Sequence, residues 1–194
     1  MKPLIFYRIK DVFLNIGSKW DKLAPSEDEA IFFAHEFINP EPEKFSSKED
    51  GLYSPEYVLA HHGELFNGIF REGRDVGDDD CKYLTDMLDT HSTKKDMVVY
   101  RGICKYVFEH MKENAKNIDG VDLLDKAFLQ SSLVKGHESN SRIRLRIFVP
   151  KGTKAAYMGN VNDEQWYYEV VIQRGTPLRV ISADKEYINC EVLL

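Results

Sequence analysis

The sequence predicts a single α+β domain, because two kinds of apolar spacing divide its 194 residues near residue 97. Before that point, apolar residues recur at helical intervals, as in the run from Ala30 to Phe37. After it, they form short strand-like runs that are separated by turn signals such as Pro150-Lys151-Gly152. Helices first and strands later indicate two packed, mainly antiparallel β-sheets with N-terminal helices. We expect one domain over residues 1–194, with a helical part over about 1–96 and a β-rich core over about 97–194.

Capping residues and breakers place the expected helices. The first contains Ala30–Phe37, and Pro40 ends it. The tripeptide Ser-Pro-Glu at 54–56 supplies an N-cap, a first-turn proline and an acid for the second. A third helix surrounds Leu84, and a short fourth spans residues 105–116.

The expected strands all follow residue 96. They are residues 97–100, 127–129, 143–149, 155–158, 168–172, 178–183 and 187–193. About seven strands against four helices are enough to build a β core that is covered by helices.

Composition narrows the class of protein. The formal net charge is -6, and 43% of the residues are hydrophobic and 30% charged, which is the balance of a globular protein. An acidic chain repels phosphate backbones, which argues against nucleic acid as a partner. No run is long enough to span a membrane, and the N-terminus lacks a signal-peptide pattern. We expect a cytoplasmic protein, or one that is secreted or translocated into a target cell without such a signal.

Two short motifs after residue 97 are candidates for ligand chemistry. In VVYRGI, residues 98–103, Arg101 ends an apolar strand, and Gly102 lets backbone approach a ligand closely. A guanidinium suits a pyrophosphate because its planar fork gives paired hydrogen bonds. In AFLQSSL, residues 127–133, two hydroxyls follow a short strand and can orient a carboxylate or a ligand amide. Alone, each motif is better explained by a surface ion pair or a turn.

The third motif is the C-terminal run IFVPKGTKAAYMGNVNDEQWYYEVVIQRGTPLRVI. Glu169 lies at the start of an apolar strand within it and faces either solvent or a cleft. Strand alternation puts Tyr167 on the same face as Glu169 and Tyr168 on the other. Together with Trp166, these tyrosines form an aromatic rim that can stack on a flat ring.

In this order, the three motifs resemble the R-S-E class of ADP-ribosyltransferases. Within this class, they resemble the clostridial Rho-modifying exoenzymes and the enzymatic components of binary actin-modifying toxins, over about residues 55–185. The resemblance implies an ADP-ribosyltransferase-like fold with an NAD cleft, NAD as substrate, no metal, and transfer of ADP-ribose to a protein side chain. Arg101 matches the family arginine, which implies that it anchors NAD. Glu169 matches the family glutamate, which implies that it stabilises the ribosyl cation.

Weaker matches extend the expected NAD site. The segment from Asn67 to Arg71 resembles the family's Asn-x-x-Leu-Arg, which implies that Arg71 helps to hold the NAD phosphates. Arg146, in LRIFVPKG, matches a strand arginine that lies near the cofactor in relatives. Each of these arginines is equally well explained as half of an ion pair. Tyr100 and Gly102 flank Arg101 and are expected in the same site.

The chain departs from the family pattern where the family has Ser-Thr-Ser, because it reads Gln130-Ser131-Ser132. In relatives, the first serine orients the catalytic glutamate. Here either the Gln130 amide donates to Glu169 or Ser131 takes over, and both serines remain candidates for positioning Glu169 or the nicotinamide.

A second departure is Tyr167, where relatives have Glu for arginine acceptors or Gln for asparagine acceptors. The acceptor residue therefore stays open, although the resemblance implies that the loop 160–168 contacts the acceptor protein. An NAD glycohydrolase on the same fold and a degenerate binding module without turnover are the alternative functions.

Overall fold

The computed structural model of the chain describes residues 4–39, 48–49, 52–159 and 166–194. Its helices are α1 (Leu4–Leu14), α2 (Ile16–Asp21), α3 (Ala30–Phe37), α4 (Pro55–Glu72), α5 (Asp79–Thr90) and α6 (Lys105–Ala115). Its strands are β1 (Lys48–Glu49), β2 (Leu52–Tyr53), β3 (Met97–Ile103), β4 (Leu123–Leu124), β5 (Leu129–Ser132), β6 (Ile143–Val149), β7 (Ala155–Gly159), β8 (Glu169–Ile172), β9 (Pro177–Ala183) and β10 (Ile188–Val192). The predicted α+β class is confirmed.

Local capping explains where the predicted helices begin and end. At the start of α4, the Ser54 hydroxyl accepts a hydrogen bond of 3.2 Å from the Tyr57 N–H, and Pro55 occupies the first turn. At its other end, Gly73 adopts a left-handed conformation with φ 68°. The Asp78 carboxylate caps α5 in the same way as Ser54 caps α4. Pro40, which was expected to end α3, lies outside the described residues.

Two N-terminal helices, α1 and α2, were not predicted from the sequence. In α1, Tyr7 is buried against the core, whereas Val12 and Phe13 are more than 80% exposed. Apolar side chains lie on both the buried and the exposed face of α1. The spacing of apolar residues in the sequence therefore does not show which face is buried.

Eight strands form one hydrogen-bonded ladder in the order β4-β9-β10-β6-β3-β5-β8-β7. β6 and β10 run parallel, and the other neighbours in this ladder run antiparallel. Between β3 and β5, the single residue pair Tyr100–Ser132 joins a five-stranded half to a three-stranded half. The two sheets expected from the sequence are thus two halves of one ladder, to which the two-residue strand β4 is added. β1 and β2, which pair with each other, were not predicted either, because every expected strand follows residue 96.

The main hydrophobic core draws on both halves of the ladder, with Val99 and Ile147 from one and Leu129 and Val170 from the other. A second core fixes α4 and α5 over the three-stranded half, where Phe70 of α4 packs on Phe128 with ring centroids 5.0 Å apart. This packing sets the distance between α4 and the strands that follow β3. Among the described residues, no helix is long and apolar enough to cross a membrane.

A buried ion cluster ties α2 to the five-stranded half. The Arg146 guanidinium, on β6, donates to Asp21 at 2.6 Å and to Asn189 at 2.6 Å, and it also pairs with Asp184. Gly17 of α2 lies directly against this cluster, since a Cβ there would overlap the Arg146 guanidinium and the Asp184 carboxylate.

We predict that Gly17→Ala destabilises the protein by about 1–3 kcal/mol, because an added methyl must displace buried charged groups. Chemical denaturation measures the free energy of unfolding. The control is Gly68→Ala in α4, where a Cβ meets nothing within 4 Å. There the better helix propensity of alanine is expected to stabilise by up to about 1 kcal/mol. Equal effects of the two substitutions would contradict the packing at Gly17.

Candidate active site

A cleft of about 570 Å³ opens between α4 and the ends of β3, β5 and β8. The predicted site residues that line it are Asn67, Arg71, Tyr100, Arg101, Gly102, Gln130, Ser131, Ser132, Tyr167 and Glu169. Residues separated by as much as 102 positions therefore meet at one surface.

Strand register explains this convergence. Tyr100 of β3 pairs with Ser132 of β5, and Ser132 pairs with Glu169 of β8. Neighbouring strands lie roughly 4.8 Å apart, so this row places the three sequence motifs side by side. Because directly opposed residues share a face, Glu169 lies on the same side of the three-stranded half as Ser132, beneath α4.

Two guanidiniums share one buried carboxylate at the cleft. Arg71 donates through Nε and Nη2 to both oxygens of Asp125, at 3.1 and 2.9 Å. Arg101 donates to Asp125 at 3.1 Å and to the Phe128 carbonyl at 3.1 Å. Asp125 is fully buried. The exposed Glu64 carboxylate also accepts a hydrogen bond from the Arg71 Nη1 at 3.2 Å, so the two guanidiniums face one buried and one exposed carboxylate.

Asp125 is a site residue that the sequence reasoning missed. Although burial opposes its ionisation, the hydrogen bonds from Arg71 and the charge of Arg101 hold its pKa below the ordinary value. The available signal was an acid between two short apolar runs, at 123–124 and 127–129, because a buried carboxylate requires a cation.

Glu169 is a buried carboxylate that lines the cleft, with 8% of its surface exposed. Burial raises its pKa to about 7, against the opposing effects of a hydrogen bond from Gln130 and of the Arg101 charge. Its environment is thus the reverse of that of Asp125, which two guanidiniums contact directly. A carboxylate with so little compensation is typical of a functional site.

Gln130, rather than a serine, contacts Glu169. The Gln130 amide donates to the Glu169 Oε1 at 2.8 Å. The Ser131 hydroxyl donates to the Leu129 carbonyl, and the Ser132 hydroxyl donates to the Val134 carbonyl. Both serines line the cleft, but these bonds direct their hydroxyls to backbone of their own segment.

The residues on either side of Arg101 have structural contacts. The Tyr100 hydroxyl donates to Asp21 at 2.8 Å. A Cβ on Gly102 would overlap the Ser139 carbonyl, so the absence of a side chain admits protein backbone at this position. The space beside Gly102, where a ligand was expected to approach the backbone closely, is therefore occupied by the segment that contains Ser139.

The segment before Glu169 has a strained backbone. Trp166 and Tyr168 both have positive φ angles, 52° and 47°, which side chains with a Cβ rarely adopt. This conformation buries Tyr168 and turns Tyr167 to the cleft, where 38% of its surface is exposed. Of the predicted acceptor-contacting loop, residues 160–165 lie outside the described part of the chain.

Arg146 is not among the residues that line the cleft, so its position does not support the expected contact with the cofactor. It is 2% exposed, bound to Asp21, Asp184 and Asn189, and stacked on the Tyr187 ring at 4.6 Å from its centroid. The opposing carboxylates come from α2 and from the turn before β10, so the sequence around Arg146 gave no sign of them. Within the described residues, no group of three or more His, Cys, Asp or Glu side chains could hold a metal ion.

Comparison with solved structures shows the fold. Plx2a, an ADP-ribosyltransferase toxin from Paenibacillus larvae, matches with a TM-score of 0.63 at 19% identity, over 87% of this chain and 96% of that chain. The C3 exoenzyme of Clostridium limosum matches with a TM-score of 0.61 at 14% identity, over 87% and 95%. C3stau2 from S. aureus, solved with NAD, matches with a TM-score of 0.59 at 18% identity, over 85% and 94%.

Comparison of the sequence with curated proteins finds no match. The family model that describes ADP-ribosyltransferase exoenzymes, however, matches residues 71–191. This range includes Arg71, Arg101, Gln130 and Glu169, which line the cleft, and Asp125, which holds the two arginines. The chain therefore belongs to the ADP-ribosyltransferase exoenzyme family and is an NAD-dependent ADP-ribosyltransferase.

Proposed function

We propose that the cleft binds NAD and that Glu169 drives transfer of its ADP-ribose to a protein side chain. The observation that carries the proposal is a poorly compensated buried carboxylate in the same cleft as two guanidiniums. The family membership favours transfer to an acceptor over hydrolysis by water.

Arg71 and Arg101 are proposed to hold the pyrophosphate of NAD. Asp125 fixes both guanidiniums, and the solvent-exposed Glu64 is a second carboxylate partner of Arg71. A guanidinium has more N–H donors than these bonds use, so both side chains can still donate toward the cleft. The two guanidiniums attract the anionic pyrophosphate, although the whole chain carries a net charge of -6.

Glu169 is proposed to act on the ribose next to nicotinamide. When the bond between ribose C1′ and the nicotinamide nitrogen breaks, its electron pair leaves with neutral nicotinamide, and positive charge develops on the ribose ring. An ionised Glu169 that accepts a hydrogen bond from the ribose 2′-hydroxyl stabilises this charge. The acceptor side chain then bonds to C1′ and loses its proton to solvent.

The acceptor protein is proposed to contact the segment before Glu169. Trp166 is 52% exposed, and Tyr167 adds aromatic surface next to the catalytic carboxylate. Exposed aromatic side chains on a conformationally restrained segment suit protein recognition. The enzyme is proposed to meet this acceptor in the cytoplasm, or in a target cell into which it is secreted or translocated.

Glu169→Gln is expected to lower kcat by about 100-fold or more, since removing one preorganised electrostatic group typically raises the barrier by roughly 3 kcal/mol. The dissociation constant for NAD should change little, because the ribosyl cation exists only in the transition state. Release of labelled nicotinamide measures the cleavage of NAD, and labelling of lysate proteins measures the transfer of ADP-ribose. Glu113→Gln, an exposed change on α6, is the control. Near-normal turnover in Glu169→Gln would remove this residue from the mechanism.

The reaction should be sensitive to pH, because only ionised Glu169 stabilises the cation. Its pKa of about 7 in the free protein predicts that kcat/KM for NAD falls about tenfold per pH unit below this value. Above it, kcat/KM should reach a plateau. An initial-rate series between pH 5 and 9, at roughly constant ionic strength, measures the midpoint. A flat profile down to about pH 5 would show that Glu169 is ionised throughout, against this prediction.

Glu169 should also lower stability at alkaline pH. Its pKa in the folded protein is raised above the value of an unfolded chain, so folding favours the protonated form. The penalty is absent below the unfolded pKa and grows as pH rises through about 7. At pH 8 we expect Glu169→Gln to be more stable than the parent protein by on the order of 2 kcal/mol, with the difference vanishing near pH 4. Denaturant unfolding at both pH values tests this. An equal difference in stability between Glu169→Gln and the parent protein at both pH values would contradict this prediction.

A further inference from the structure

A chain of hydrogen bonds links the protein backbone to Glu169 through two side-chain amides. The Phe128 N–H donates to the Asn67 Oδ1 at 3.2 Å, and the Asn67 Nδ2 donates to the Gln130 Oε1 at 2.7 Å. The Gln130 Nε2 then donates to Glu169 at 2.8 Å and to the Leu59 carbonyl at 3.0 Å. The chain connects α4, which carries Leu59 and Asn67, with β5 and β8.

The direction of every bond in this chain is fixed by its two backbone ends. A backbone N–H only donates, so the Phe128 N–H requires the oxygen of Asn67 and leaves the Asn67 NH₂ group to donate. A backbone carbonyl only accepts, so the Leu59 carbonyl requires the NH₂ group of Gln130. Gln130 must therefore present a donor to Glu169. A donor favours the carboxylate over the protonated acid.

Gly63 provides the space for this amide. A Cβ at position 63 would overlap the Oε1, Nε2 and Cδ atoms of Gln130. Gly63 follows His62, where α4 has a non-helical conformation with φ -133° and ψ 40°. The kink and the missing side chain together let the Gln130 amide lie against α4 between Leu59 and Asn67.

We propose that Gly63, Asn67 and Gln130 act as one positioning unit that orients Glu169 and keeps it ionised, in the role that the first serine of the motif has in relatives. The inference rests on the proposed function of Glu169. It adds that the residues at positions 63 and 130 are coupled, because glutamine at 130 requires glycine at 63, whereas a serine at 130 does not reach that volume.

A double-mutant cycle tests this coupling. Gly63→Ala should lower kcat/KM for NAD by about tenfold or more at pH 7, because it pushes the Gln130 amide away from Glu169. In a Gln130→Ser background, the same Gly63→Ala change should alter kcat/KM by less than about twofold, because the shorter side chain leaves the space open. Equal losses in the two backgrounds would overturn the proposal.

A second variant tests the hydrogen bond without changing the fit. Gln130→Met keeps the length of the side chain and removes the donor, so the midpoint of the pH profile of kcat/KM should rise by about one unit. KM for NAD should change less than kcat, since Gln130 acts through Glu169. An unchanged midpoint with altered stability alone would show a structural role and overturn the proposal.

Two controls separate the possible failures. Gly68→Ala lies on the same helix in open space and reports the effect of an alanine in α4 on the unfolding midpoint. If Gly63→Ala unfolds the chain, recovery of the folded state in the double variant still demonstrates the coupling, and its absence contradicts it. Glu169→Gln distinguishes the two hypotheses, because full turnover there removes the proposed function itself. If Glu169→Gln loses turnover but Gln130→Met does not shift the midpoint of the pH profile of kcat/KM, only the proposed positioning unit is contradicted.

Discussion

The Asp125 carboxylate lies between the guanidiniums of Arg71 and Arg101, beneath the surface of the cleft that these two arginines line, with none of its own surface exposed. Arg71 comes from α4, Arg101 comes from the end of β3, and Asp125 follows β4. This one buried acid therefore fixes a helix and two strand segments relative to each other. Breaking such a buried pair is costly, because it leaves uncompensated charge in the protein interior. The shape of the cleft and the position of its two guanidiniums therefore depend on the same carboxylate.

Glu169 shows how differently the same chemical group behaves a short distance away. Asp125 has two cationic partners and stays ionised, whereas Glu169 has one neutral donor and a more distant arginine charge. Folding thus supports one carboxylate and opposes the ionisation of the other. An unfavourable buried charge is useful in catalysis when it is matched by positive charge that appears only in the transition state.

The sequence predicted most of the strands and the convergence of Arg101 and Glu169, because strand patterns and the three motifs are local signals. The sequence did not predict which side chains from distant segments contact each other. Arg146 and Arg101 both stand in apolar strands, and only the nearby carboxylates, which folding supplies, distinguish their environments. Asp125 was missed for the same reason. α1 was missed because its outward face keeps apolar side chains such as Phe13.

The fit between Gly63 and Gln130 also constrains the order in which this site can change over evolution. The Gln130 amide occupies the volume of a Cβ at 63, so a larger residue at 63 requires this amide to leave its place beside Glu169. A short residue at 130 leaves that volume open, and the choice of residue at 63 is then less restricted. Each position therefore determines which substitutions are available to the other, although they lie 67 residues apart along the chain.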